Sequence, residues 1–349
     1  MRVILLILRL CLILGIPLLI GYGTYRYTYA TFFTPIDAQA TTPIVVEVTA
    51  GSSFKDLCVS LEKNNLVRHW WVLDVISRLR GDNTRIQPGE YLLSQTMTPV
   101  ELLKTMAAGK LHKRELVLSA GSDDLDVVAA FEHAGLATEA DVLEKLRSPE
   151  LLVRAGIRGD SVLGYLAPGE YEFSKSETLD RMFWELSDVA NGFWNDELLA
   201  QADRLRMSRH EIVTLASLLE ATNAPATVMP TLSSVFHNRL DAVMHLNSEA
   251  ALRYILKKKN EPLTDEDKGI DSPYNTFTQY GLPPNPINNP SKDAIIAALY
   301  PSSTQYYDFT REGDNFSFSE KVEPEPIVAT LEETSSGNEQ AATDETPAP

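Results

Sequence analysis

The apolar positions of this chain change their spacing several times, and each change predicts an element. Val3 to Tyr22 is almost continuously apolar, interrupted only by Arg9 and Pro17. A run of about 20 such residues is long enough to span a bilayer. Arg2 and Arg9 near its start favour a cytoplasmic N-terminus. Tyr22, Tyr25, Tyr27, Tyr29, Phe32 and Phe33 follow as an interfacial aromatic belt. Residues 1–33 thus read as a single-pass anchor in an inner (cytoplasmic) membrane, with everything after them extracytoplasmic. The rival is a cleaved signal peptide, for which Ala38-Gln39-Ala40 offers a small-residue site. That site lies far beyond the apolar run, so the uncleaved anchor is preferred.

From Ile44 to Val48 the period is 2, which predicts a strand; Phe54, Leu57, Cys58 and Leu61 then fall on one side of a helix, and a second helix is expected around Trp70 to Leu79. Pro88-Gly89-Glu90-Tyr91-Leu92-Leu93 reads as a turn into a strand, and Thr98-Pro99-Val100-Glu101 as an N-cap with proline at the first helical position. Residues 42–112 therefore form a small α+β module. A strand at Leu116 to Leu118 and a capped helix from Asp123 open a mainly helical stretch reaching about Leu205, broken at 163–171, where Pro-Gly-Glu-Tyr occurs a second time without matching flanks. That is reuse of one turn-to-strand solution and not an internal repeat.

Ser208 with Glu211 makes a capping box and fixes the register of the next helix. Ile212, Leu215, Ala216 and Leu219 form its apolar stripe, and Glu220 lies on the stripe's edge while Glu211 points to the polar side. Partial desolvation disfavours the charged form of such a carboxyl group, the condition for a general acid near neutral pH. A solvated rim residue or ion-pair partner is the alternative. A helix from Thr227 to Ala242 follows, then two irregular stretches at 247–251 and 273–290. The second is rich in Gly, Pro and Asn yet keeps Tyr, Phe, Leu and Ile, so it reads as a stiff, half-buried loop, either a cleft wall or a structural Ω-loop. A short helix at Asp293 to Leu299 and a hairpin of Tyr306 to Thr310 with Asn315 to Ser319 close the domain at 113–319. Residues 320–349, rich in Glu, Pro, Ser, Thr and Ala, read as a disordered acidic tail.

Composition narrows the chemistry. A net charge of −17 over 349 residues argues against nucleic acid as a partner. Two cysteines in different segments give no disulfide framework, and six histidines without HExxH-type spacing give no metal site, so no metal and no cofactor is expected.

Four stretches in fixed order, Leu215-Ala216-Ser217-Leu218-Leu219-Glu220, Val235-Phe236-His237-Asn238-Arg239-Leu240, Tyr274-Asn275-Thr276-Phe277 and Gly281-Leu282-Pro283-Pro284-Asn285-Pro286-Ile287, resemble the YceG-like endolytic murein transglycosylases. The resemblance runs over about 42–319, and the 42–112 module resembles LysM. It implies an α+β fold and an enzyme of the peptidoglycan lytic transglycosylase type. Such an enzyme cuts the β-1,4 bond between N-acetylmuramic acid and N-acetylglucosamine in nascent glycan strands, close to the peptidoglycan synthases, and leaves 1,6-anhydromuramic ends. It implies Glu220 as the catalytic acid and base. Asn238, Arg239, Glu249, Tyr274, Asn275, Thr276, Leu282 and Pro283 become candidate substrate-binding residues. The residue patterns alone also allow a surface rim for Asn238 and Arg239, turn chemistry for Tyr274 to Thr276, and a rigid wall for Leu282 and Pro283.

The chain departs from the family pattern at Ala221-Thr222-Asn223, where a second acidic residue is usual. It reads Asn247-Ser248-Glu249-Ala250-Ala251 in place of Gln-Ser/Thr-Asp-Pro-Thr, carries Phe316 near the place of a hairpin histidine, and has Leu163 where an acidic residue is common. These departures define a second hypothesis, a slow or inactive peptidoglycan-binding scaffold of the same fold.

Overall fold

The computed structural model describes residues 2–81, 86–157, 159–259, 261–313 and 315–320, and side chains from residue 14 onward. The expected acidic tail lies outside the described residues. The chain divides into two compact units, Met1–Asn195 and Asp196–Pro349, so the division falls inside the stretch 113–319 expected as one domain.

Helix α1 spans Arg2–Phe33. Most of the predicted apolar run falls on residues 2–13, whose side chains lie outside the described set, and among the described residues no helix is long and apolar enough to cross a membrane. Its last turns carry an exposed aromatic ladder: the Tyr25 and Tyr29 rings lie 6.1 Å apart, and Tyr29 and Phe33 5.7 Å. Phe32 instead turns inward onto the first module, edge-on to Trp71 at 5.7 Å.

That module follows the sequence pattern closely. β1 (Ile44–Val48), α2 (Phe54–Lys63), α3 (Trp70–Arg80), β2 (Gly89–Leu93) and α4 (Pro99–Ala107) occur in the expected order. β1 and β2 pair antiparallel with Val46 opposite Tyr91. The capping boxes Ser53/Asp56 and Thr98/Glu101 satisfy the donors that open α2 and α4. Leu61, Leu66, Leu73, Tyr91, Leu102 and Met106 fill the core around Cys58. Burial pushes the Cys58 thiol up to about 12, which leaves it an inert packing group.

β3 (Lys113–Leu118), α5 (Asp124–His133), α6 (Glu139–Leu146), α7 (Pro149–Ala155), β4 (Gly169–Ser174) and α8 (Leu179–Gly192) complete the first unit, with β3 antiparallel to β4. Both Pro-Gly-Glu-Tyr strings open a strand and close the turn alike. Tyr91 Oη donates to Gln87 O at 2.8 Å, and Tyr171 Oη to Ala167 O at 2.7 Å. Only the first string requires its glycine. Gly89 has φ +140°, and a Cβ there would meet Leu111 Cδ2 at 2.8 Å.

The two glutamates of these strings have opposite fates. Glu170 is exposed. Glu90 is 5% exposed and accepts a two-pronged bond from Arg114, Nε to Oε2 and Nη2 to Oε1, both at 2.9 Å, with Lys175 Nζ at 3.6 Å. Arg114 Nη1 also donates to Ala134 O and Gly135 O, so one guanidinium ties β2, β3 and the end of α5 together. The Arg114 hydrogen bonds hold the Glu90 carboxyl below its ordinary range. A carboxylate with a depressed folded pKa contributes stability above its unfolded pKa, and that contribution is lost as pH falls through the folded value. Glu90→Gln should therefore cost about 3 kcal/mol near neutral pH by leaving Arg114 uncompensated. In chemical unfolding against pH, the gap to the wild type should close as the medium becomes more acidic than about pH 4. A gap of constant size would refute this account.

Candidate active site

The second unit is built from α9 (Asp196–Arg204), α10 (Arg209–Glu220), α11 (Met229–Asp241), α12 (Glu249–Leu256), α13 (Asp265–Lys268), α14 (Lys292–Leu299) and the hairpin β5 (Asp308–Glu312) with β6 (Asn315–Ser319). The Ser208/Glu211 capping box forms as expected, and Ile212, Val213, Leu215, Ala216, Leu218 and Leu219 are buried along α10. One expectation is corrected. The stretch 247–251 is not irregular throughout: α12 starts at Glu249, after Asn247 turns the chain at φ +52°. Glu-Ala-Ala-Leu is good helix-forming sequence with an acidic residue in the first turn, so local propensity prevails once the turn is made.

Glu220 is the last residue of α10 and is half-buried. Ser291, the N-cap of α14, donates to its Oε2 twice, through N at 2.9 Å and Oγ at 2.5 Å. The same Oγ accepts from Ala294 N at 3.2 Å, so the helix cap and the carboxylate clamp share one hydroxyl. Among the described residues nothing donates to Oε1. The carboxylate lies at the positive end of α14 with one oxygen fixed and the other available.

Immediately after Glu220, Ala221 and Thr222 line a cleft of about 570 Å³, within the range of about 300–1,000 Å³ usual for ligand sites. Its walls are Phe236 and Arg239 of α11, Leu246 to Ala250 with Arg253 around the start of α12, and Asp308, Phe309, Arg311 and Phe316 of the hairpin. Glu220 itself, the residue before Ala221, is not among the lining residues. Arg253 Nη2 pairs with Glu249 Oε2 at 3.2 Å, and Arg239 Nη2 with Asp308 Oδ1 at 3.1 Å.

Of the residues singled out from sequence, Arg239 and Glu249 reach this cleft. Arg239 is 6% exposed and also donates to Tyr307 O, His245 O and Leu246 O, so its donors fasten the hairpin and the turn before α12. Asn238 Nδ2 donates to Thr304 O and Tyr306 O, which ties α11 to the irregular segment leading into β5. His237, whose burial pulls its pKa below the ordinary histidine value, bonds Ala298 O of α14 at 2.9 Å. Neither Asn238 nor Arg239 hydrogen-bonds Glu220.

Tyr274, Asn275, Thr276, Leu282 and Pro283 lie in the 273–290 loop and do not line the cleft. Asn275 is 0% exposed: its Nδ2 donates to Lys268 O and Ile270 O, and its Oδ1 accepts from Phe277 N. Buried Thr276 accepts from Ser248 N at 2.8 Å through Oγ1 and from Asn247 N at 3.1 Å through its carbonyl, so it fixes the turn that carries Glu249. Tyr274 Oη accepts from Asn285 Nδ2 at 3.0 Å, and its ring lies 5.7 Å from that of Tyr254. Pro283 is buried and Leu282 half-buried. Leu163 is buried in the first unit, and Phe316 lines the cleft.

Sequence reasoning missed Ser217, Ser291 and Arg311. Ser217 Oγ donates to Thr214 O and accepts from Ile287 N at 3.1 Å, while Ser217 O accepts from Asn288 Nδ2 at 3.0 Å. The loop is thereby stitched to α10 one turn before Glu220. A serine inside an apolar helix stripe was the available signal, since a buried hydroxyl needs a partner.

A model of the YceG-like family matches residues 46–324. The endolytic murein transglycosylases of Streptococcus pneumoniae strains D39 and R6 are each 27% identical over 323 residues, covering 80% of this chain and 56% of theirs. This chain thus spans little more than half the length of those relatives. The endolytic murein transglycosylase of Bacillus subtilis strain 168 is 24% identical over 339 residues, 93% of either chain. The crystal structure of a yceG-like protein from Listeria monocytogenes superposes with a TM-score of 0.54 at 26% identity, covering 81% of this chain and 98% of that one.

The stitching makes a prediction that needs no assay of activity. Ser217→Ala removes the acceptor for buried Ile287 N and should cost about 1–3 kcal/mol. Amide exchange should rise first across 285–289, and unchanged protection there would refute the role given to Ser217.

Proposed function

Because the chain belongs to the YceG-like family, we propose that it is a membrane-anchored endolytic peptidoglycan lytic transglycosylase acting on nascent glycan strands, with Glu220 as its acid and base. The observation that carries this reading is the Glu220 carboxyl at the end of α10, where the chain runs into the cleft wall at Ala221 and Thr222, fixed through Oε2 by Ser291 with no donor to Oε1 among the described residues.

Most glycosidases use two carboxyl groups about 5–9 Å apart, because water must be activated separately from the leaving group. Intramolecular attack needs only one. Glu220, protonated on Oε1, donates to the glycosidic oxygen between N-acetylmuramic acid and N-acetylglucosamine as the C1–O bond breaks. The resulting carboxylate takes the proton of the muramyl C6 hydroxyl as O6 bonds to C1, which closes the 1,6-anhydro ring and restores the acid. No water enters. Ser291 keeps Oε2 out of the exchange, so the same oxygen can give and recover the proton. Misplacing such a group by about 1 Å can cost on the order of a hundredfold in rate.

The apolar run Val3 to Tyr22, with Arg2 and Arg9 at its start, supports a single-pass anchor with a cytoplasmic N-terminus and an extracytoplasmic catalytic part beside the peptidoglycan synthases. Deleting residues 1–21, short of the Phe32 packing on the first module, should release the protein from membranes without detergent. Retention would refute the anchor. The order of β1, α2, α3, β2 and α4 is consistent with a LysM-like module.

One observation favours the scaffold reading: Glu220 does not line the cleft, and one of its oxygens is already taken. Digestion of uncrosslinked glycan by the full chain in detergent, with mass spectrometry of the ends, separates the two. The enzyme reading requires anhydro ends that fall about a thousandfold with Glu220→Gln. Ser291→Ala should lower kcat about tenfold with little change in KM, beyond the roughly 1 kcal/mol of stability lost with the cap. Reducing ends would mean hydrolysis and end the single-carboxyl mechanism. Glycan binding without new ends would support the scaffold.

A further inference from the structure

The charges of the cleft do not cancel. Its walls hold three guanidinium groups and two carboxylates, and the pairs Arg239–Asp308 and Arg253–Glu249 use both carboxylates. Arg311 is left over. It is exposed on β5, and among the described residues it makes no ion pair. It is nevertheless well held. Nη1 donates to Thr222 O, two residues beyond Glu220, at 2.5 Å, Nε donates to Gly313 O at 2.7 Å, and the guanidinium lies 5.6 Å from the centre of the Phe316 ring. Nη2 has no partner among the described residues. A guanidinium oriented by two carbonyls and an aromatic ring has lost most of the freedom that makes surface arginines weak binders, and its remaining donors match a carboxylate. Among the described residues, the carboxylates that line this cleft, Glu249 and Asp308, are both already paired.

We propose that Arg311 is the receptor for a carboxylate carried by the glycan strand and thereby selects which strands the cleft accepts. This inference rests on the peptidoglycan reading above. The shared chemistry has two sources. In a peptide-free strand the lactyl ether of the muramyl residue ends in a free carboxylate; in a peptide-bearing strand that group is an amide, and the nearest carboxylates belong to the stem peptide. Because Arg311 is bonded to the end of the helix that bears Glu220, a carboxylate docked on it also places the neighbouring glycosidic bond beside that helix end.

The test is equilibrium binding to the full chain in detergent carrying Glu220→Gln, so that no strand is cut. Three uncrosslinked glycans are compared: peptide-bearing, peptide-free, and peptide-free with the lactyl carboxyl converted to its methylamide. Adding Arg311→Met should raise Kd about tenfold for a carboxylate-bearing strand, with Arg311→Lys recovering part of the loss. The methylamide strand should bind both proteins alike. Loss on the peptide-free strand assigns the lactyl carboxylate; loss on the peptide-bearing strand alone assigns the stem peptide. An equal loss on all three strands would mean a damaged hairpin and overturn the proposal, as would no loss on any. Arg311-dependent binding by a wild-type chain that makes no anhydro ends would refute the enzyme reading and leave this one standing. Failure to bind any strand would refute both.

Discussion

The second unit depends on holding a stretch with almost no regular hydrogen bonding of its own against helix α10. Residues 273–290 contain five prolines, and the backbone groups of the buried end, 285–290, still require partners away from water. Side chains supply what a strand or helix would have supplied. Ser217 receives Ile287 N, Asn288 reaches back to Ser217 O, His210 bonds Pro284 O, and Asn275 closes its own turn with three bonds. Prolines reduce the problem further, since each removes one donor that would otherwise need satisfying. The result is a rigid wall whose end is Ser291, which explains how an irregular segment can deliver a hydroxyl to a carboxylate with the accuracy of a helix cap.

Glu220 is consequently fixed from two sides by parts of the chain far away in sequence. Ser291 clamps the carboxylate itself, 71 residues on, and Arg311 clamps the carbonyl of Thr222, 89 residues on. The end of α10 cannot unwind without breaking one of them. Rotation about the last side-chain bond, which would exchange the two oxygens, has to break both Ser291 bonds to Oε2. The clamp therefore restricts the carboxyl to presenting one oxygen at a time, which is what a single group acting in turn as acid and base requires.

These long separations also explain what was legible in the sequence. Much that depends on neighbours within about four residues could be read: the capping box at Ser208, the N-cap at Thr98, the period-2 strand at Ile44 to Val48, the paired Pro-Gly-Glu-Tyr turns and the half-buried edge position of Glu220. Glu249 was placed in an irregular stretch because the turn before α12 is stabilised by Thr276, which no local pattern reveals. Asn238 and Arg239 were marked as polar and suitable for a ligand. The Asn238 amide and Arg239 Nε proved to be directed at carbonyls of the 304–307 segment, more than sixty residues away, and Arg239 Nη1 at those of His245 and Leu246. Ser217 and Ser291 are short polar residues of the kind that cap turns anywhere, and only the packing of α10 on α14 makes them specific.

The net charge of −17 poses a problem for a protein read as working on an anionic polymer, because like charges lower the encounter rate. Screening limits that penalty to short range: at physiological salt the field of a surface charge falls off over about 8 Å. What a strand meets at the cleft is then set by the cleft's own groups and not by the total. There the two carboxylates of the walls face arginines at 3.1 and 3.2 Å, so each pair looks nearly neutral from outside, and among the described residues Arg311 remains without an ion pair. On the proposed reading, an acidic chain whose cleft keeps a cationic group without an ion pair among the described residues favours an anionic strand at the cleft over the rest of its surface. The proposed docking on Arg311 would then use the charge pattern twice, as repulsion over the surface and as register beside Thr222.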